Sequence, residues 1–163
     1  MNIHNYLPCI LLLAPVFIWN ALLYSKLPAP YQKAIWDKVP KSLDILENVF
    51  RIIVFFIPIF MKLQIDTPAQ KAGLILYCIG IVIYFLSWYM QIKYPASAWS
   101  ASMWGFIAPA YTTIIWFTGI ALIGQELLIK KTWWYGSYFL FILFFVIIHT
   151  CHAVYVYRHS LNK

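Results

Sequence analysis

The sequence predicts an all-α polytopic membrane protein, a compact bundle of five transmembrane helices, or four if Leu43–Leu63 does not span. Three observations predict it. The 163 residues are 63% hydrophobic and only 10% charged, whereas soluble domains carry about 25% charged residues. Five apolar runs, at about 6–24, 43–63, 72–92, 103–124 and 133–157, approach the roughly 20 residues that a helix needs to cross about 30 Å of hydrocarbon. The connections at 64–71, 93–102 and 125–132 are short, so neighbouring helices should run antiparallel in one integral domain covering 1–163.

The first run follows MNIHNYLP, which lacks a basic n-region, and no small-residue cleavage site comes after it; it is expected to stay as a span. Segment 25–42 is broken by Pro28, Pro30 and Pro40 and sets Tyr31, Ile35 and Trp36 beside lysines, a composition suited to lying in the interface. The second run is the weakest, because Arg51 and Lys62 leave a short apolar centre. The third is the clearest amphipath. At 100° per residue Gly73, Tyr77, Gly80, Tyr84, Ser87, Trp88 and Gln91 share one face, with aliphatic side chains and phenylalanine opposite, so that face should look into the bundle.

Tyr94–Glu126 places serines, threonines, tryptophans, prolines and glycines in a nearly uncharged stretch, and polar groups at membrane depth need partners. It reads as a wall of an internal site, with Trp104, Tyr111 and Thr112 facing inward, Trp99 in an aromatic belt and Thr113 pointing away. In the fifth run Tyr138, Phe145, His149, His152 and His159 share a face; Trp133 and Trp134 before it read as belt.

The net charge is +7, but the Lys and Arg lie mostly between apolar runs, where they set orientation and meet anionic membrane lipid rather than nucleic acid. With five spans, Lys26, Lys33, Lys38, Lys41, Arg51, Lys93, Arg158 and Lys163 fall on one side and Lys62, Lys71, Lys130 and Lys131 on the other. Eight against four puts the N-terminus outside and the C-terminus in the cytoplasm of a bacterial-type plasma membrane. Cys9, Cys78 and Cys151 all lie in apolar segments, with neither a disulfide framework nor a CxxC pair.

Antiparallel spans bring Asn20, Glu47, Arg51, Trp88, Gln91, Trp104, Tyr111, His149 and His152 to one leaflet, the cytoplasmic one by the charge count, while the other half of the bundle is aliphatic and aromatic. A pocket with a polar end and an apolar body suits a lipid-like or isoprenoid-like amphiphile or a flat ring system. The expected function is acid–base chemistry on such a molecule, of isomerase, cyclase or transferase type. His149 or His152 would move a proton, Glu47 would be the acidic partner, and Arg51, Asn20, Tyr84, Trp88, Gln91, Trp104, Tyr111 and Thr112 would hold the ligand. Glu47 and Arg51 stand at the i,i+4 spacing that lets them pair; a solvated pair at a helix entrance explains them equally well.

Two other classes stay open: a transporter or sensor that binds without reaction, and an accessory subunit whose polar stripes glue helices or dock a partner. No cofactor is evident. His149 and His152, at i and i+3, also suit a haem or metal pair, but the other histidines, His4 and His159, lie near the chain ends. A homo-oligomer is compatible with the pattern. In length, five expected spans and tryptophan richness the chain is similar to the tryptophan-rich sensory protein (translocator) family of porphyrin and sterol binders. That family's tryptophan–proline-rich loop motif is absent, and no residues carry over.

Overall fold

The computed structural model describes residues 7–31, 39–127 and 135–160. Tyr6, His4, residues 32–38 of the proposed interfacial segment with Ile35 and Trp36, and Trp133 and Trp134 lie outside the described residues. Those described are all-helical apart from two isolated bridges. A 3-10 turn at Cys9–Leu13 leads into α1 (Ala14–Leu23), which tightens again at Tyr24–Lys26. Then come α2 (Lys41–Phe56), ending in a 3-10 turn at Ile57–Ile59, and α3 (Pro68–Lys93). Three single turns follow, α4 (Ala98–Ala101), α5 (Met103–Phe106) and α6 (Ala108–Tyr111), before α7 (Thr113–Ile123) and α8 (Tyr135–Ser160).

Among the described residues three helices, not five, are long and apolar enough to cross a membrane by length and composition: Cys9–Lys26, Pro68–Lys93 and Gly136–Ser160. The second expected span falls outside that set because α2 is only 16 residues long and carries Lys41, Asp44, Glu47 and Arg51. The fourth is cut short at its start. Ser102 is extended, ψ rises to 0° at Ile107, and Pro109 follows without an N–H to give, so the apolar helix is only Ala108–Ile123.

Sequence chemistry explains three of the helix starts. At α3 the Thr67 hydroxyl accepts from the Gln70 N–H at 3.2 Å and the Gln70 carboxamide accepts from the Thr67 N–H at 3.0 Å, with Pro68 in the first turn. This capping box starts the helix four residues before the expected span. Ser97 and Ser102 cap α4 and α5 through Ser100 N and Gly105 N, both at 3.1 Å.

Helix α3 packs along α7, α7 on α8, and α8 on α2. The α3–α7 seam runs on glycines: a Cβ at Gly119 would stand 2.6 Å from Tyr77 N, and one at Gly73 2.9 Å from Gly119 O, so the two backbones touch. The buried face of α3 is Gln70, Gly73, Tyr77, Gly80, Tyr84, Ser87, Trp88 and Gln91, the stripe that helical periodicity marks. Helix α1 closes the ring. Trp19 stacks on Phe85 of α3 at 4.0 Å, Tyr77 donates to the Leu12 carbonyl at 2.6 Å, and Phe17 stacks on Phe55 of α2 at 5.3 Å.

Two polar devices brace the bundle. At one end Cys9 N donates to Met61 O and Leu63 N to Leu7 O, while Lys62 N donates to Glu126 O, each at 2.8 Å. Lys62 Nζ also lies 3.6 Å from the Glu126 carboxylate. In mid-bundle the buried Tyr138 hydroxyl donates to Val54 O at 2.9 Å, tying α8 to α2.

Candidate functional site

At the end of the ring away from Cys9, all the long helices and the broken segment enclose a cavity of about 690 Å³. Its walls are mainly apolar and aromatic: Val16 and Phe17 from α1, Phe55 from α2, Tyr84 and Trp88 from α3, Trp116 and Phe117 from α7, and Phe145 from α8. Asn20, Arg51, Thr113 and His149 supply polar groups. That volume falls in the roughly 300–1,000 Å³ range that encloses a small organic molecule.

Behind the wall sits the cluster that gives the cavity its chemistry. Glu47 is 1% exposed, yet its carboxylate is fully engaged. Oε1 accepts from the Arg51 guanidinium one turn along α2 and from His149 Nδ1 at 3.0 Å, and Oε2 is bonded to His152 Nδ1. The i,i+3 spacing of the two histidines on α8 and the packing of α8 on α2 let one carboxylate reach both rings. An ionised carboxylate can only accept, so both bonds require the proton on Nδ1 and leave Nε2 as the basic nitrogen. His149 is partly exposed, stacks flat on Phe145 at 5.3 Å and forms part of the cavity wall, whereas His152 is buried. Arg51 also donates to Asn48 Oδ1 at 3.0 Å, and Asn48 to Asp44 Oδ1 at 3.2 Å, which fixes the guanidinium against α2.

Across the cavity the Tyr84 hydroxyl donates to Asn20 Oδ1 at 2.8 Å, leaving the Asn20 amide hydrogens for other acceptors. Leu27, Tyr31 and Phe106 cover the end. The Tyr31 ring stacks on Phe106 at 4.4 Å, and its hydroxyl donates to Phe106 O at 2.6 Å. Burial pushes the Tyr31 phenol well above its ordinary pKa, so it stays a donor.

The remaining sequence-chosen residues stand elsewhere. Trp104 is 63% exposed on the outer surface. Tyr111 packs with Val39, Ala153 and Val156 in a second apolar cluster. Thr112 turns its hydroxyl onto Ala108 O at 2.7 Å. Thr113, expected to point away, lines the cavity. The common cause is the broken helix: a continuous 100° rotation loses phase at Ser102 and Ile107, which also hid Trp116 and Phe117. The proline in Ala-Pro-Ala-Tyr and the two serine caps were the available signal.

Gln91 is buried but acts as a clasp for that broken segment. Its Nε2 donates to Gly105 O at 2.8 Å and to Ser100 O at 3.3 Å, while Ser100 Oγ donates to Met90 O at 3.1 Å. Irregular backbone inside a bundle needs such donors. Gln91→Leu is expected to leave these carbonyls unsatisfied and cost about 1–3 kcal/mol. Hydrogen exchange should then rise at residues 98–107 and not along α8.

Among the described residues no three His, Cys, Asp or Glu side chains are placed to hold a metal ion. No protein-family model matches the chain, and no curated protein or solved structure compared with it does.

Proposed function

We propose that the chain is a five-pass integral membrane protein, its polar end toward the cytoplasm, that acts by acid–base chemistry on a lipid-like or isoprenoid-like molecule held in this cavity. On this reading α2 and the Ala108–Ile123 helix cross with the three longer helices, Glu47 turned into the ring and the exposed Lys41 and Asp44 held at the interfacial start of α2. The observation that carries the proposal is the buried Glu47 carboxylate bonded to Nδ1 of a histidine on the cavity wall.

That arrangement is the orienting half of a general base. Glu47 holds the His149 tautomer and stabilises the imidazolium formed when Nε2 takes a proton. His152 and Arg51 hold the carboxylate in place from its other sides, as positioning residues. A proton removed from one carbon or oxygen of the bound molecule and returned at another gives an isomerisation; returned after ring closure, it gives a cyclisation. Neither needs a nucleotide. The aromatic walls of Tyr84, Trp88, Trp116 and Phe117 would hold an apolar body and stabilise transient positive charge.

The test is mass spectrometry of the molecule that leaves the membrane with the protein, before and after incubation in lipid nanodiscs. Wild type is expected to convert it, and His149→Ala to slow conversion by about 10²–10⁴-fold while still binding. Recovery of the molecule unchanged from wild type would make the protein a carrier or sensor.

A further inference from the structure

We infer that the cavity is loaded sideways from the lipid through a slot between α1 and α2, and that its occupant is a single-bodied amphiphile whose head presents hydrogen-bond-accepting oxygen. The inference rests on the cavity being the ligand site proposed above, and not on any reaction there.

The walls of the cavity are sealed unequally. Trp116, Phe117, Phe145, Tyr84 and Ala110 line it and are buried. Four other lining residues are open to the outside, and all come from α1, its C-terminal turn and α2: Phe17 at 46%, Tyr24 at 56% and Ile52 at 67% exposed, with the Arg51 side chain at 44%. A residue that both lines an internal cavity and faces outward marks an opening. Helices α1 and α2 meet there through the Phe17–Phe55 stack, two apolar rings that can part without breaking a hydrogen bond. The far end is closed by the Tyr31–Phe106 hydrogen bond and stack. In a five-pass bundle Phe17 and Ile52 on this outer surface face hydrocarbon while Arg51 and Tyr24 stand at its interfacial edge, so an apolar body can slide in from the lipid with its head kept at the interface.

The head chemistry follows from what the slot and its inner edge can donate. Asn20 has given its oxygen to Tyr84 and keeps two amide hydrogens. Arg51 has N–H groups beyond the two spent on Glu47 and Asn48. Tyr24 adds a hydroxyl at the slot. Against these donors His149 Nε2 is the principal acceptor. A carboxylate, phosphate ester or carbonyl head therefore matches the site, and an ammonium head would meet the Arg51 charge. A cavity of about 690 Å³ takes one chain or one fused-ring body.

The experiment uses the full chain in phosphatidylcholine nanodiscs with two photoreactive probes, a diazirine-bearing hexadecanoic acid and the matching hexadecylamine, mapped by peptide mass spectrometry. The acid is expected to label peptides containing Trp116–Phe117 and Phe145, and the amine only outer-surface residues. Phe17→Trp and Ile52→Trp, each narrowing the slot, are expected to slow pocket labelling about tenfold without lowering its final extent. Ile75→Trp, on the outward face of α3, should leave the rate unchanged and controls for folding. Equal rates in both slot variants would overturn sideways loading, and equal pocket labelling by acid and amine would overturn the head assignment. Absence of pocket labelling by both probes in wild type would remove the ligand site itself. The labelling reads no turnover, so a cavity that binds without reacting leaves the inference standing.

Discussion

Glu47→Ala is expected to cost about 3 kcal/mol of stability and to abolish any turnover. The carboxylate is buried and joins α2 to α8 through two histidines. Removing one partner of a buried charged set costs roughly 3–5 kcal/mol, because the groups left behind lose both water and their partner. The low end applies here, since Arg51 is half-exposed and can rehydrate. Glu47→Gln separates the two effects: the amide oxygen still accepts from one ring, so stability should fall by less than in the alanine variant. It does not stabilise an imidazolium, however, so turnover should fall as far as in His149→Ala. Thermal unfolding in nanodiscs, beside conversion of the co-purified molecule, measures both. Wild-type turnover in Glu47→Gln, with melting lowered, would show that the carboxylate merely joins helices.

The particular residues show why part of this was legible in the sequence. The stripe on α3 is regular because Pro68–Lys93 is one uninterrupted helix, so counting at 100° per residue finds its buried face. Glu47, Arg51, His149 and His152 could be placed at one depth because they lie in continuous helices whose connections are short. Two things were not legible. The register of residues 98–123 depends on serine caps and a proline that restart the helix four times, so periodic counting put Trp104 and Tyr111 on the wall and missed Trp116 and Phe117. Pairing across helices, such as Asn20 with Tyr84 or Gln91 with Gly105 O, depends on tertiary distance, which polarity alone does not encode. Gln91 looks like a ligand contact in a helical plot because a clasp and a ligand donor are equally buried and equally polar.

The second large effect is expected at the α3–α7 seam, where Gly119→Val should destabilise more than any aliphatic truncation in the cavity wall. A Cβ at Gly119 would sit 2.6 Å from Tyr77 N and 2.7 Å from both Gly73 O and Tyr77 Cα, and one at Gly80 would sit 2.9 Å from Trp116 Cα. These neighbours are backbone atoms, so no side-chain rotation relieves the clash; the helices must separate. Alanine in a helix is favoured over glycine by about 1 kcal/mol, whereas overpacking costs about 1–3 kcal/mol. The steric cost therefore wins even for Gly119→Ala, and valine adds a second branch at the same contact. Separation would also carry Trp116 and Phe117 away from Tyr84, against which Trp116 packs edge-on at 6.2 Å, and so widen the cavity on the wall opposite Arg51. The expected readout is a melting temperature that falls in the order Gly119→Ala then Gly119→Val, with weakened ligand retention in whatever fraction stays folded. Unchanged melting in both variants would mean that α3 and α7 do not meet backbone to backbone, and the cavity wall built on that seam would have to be redrawn.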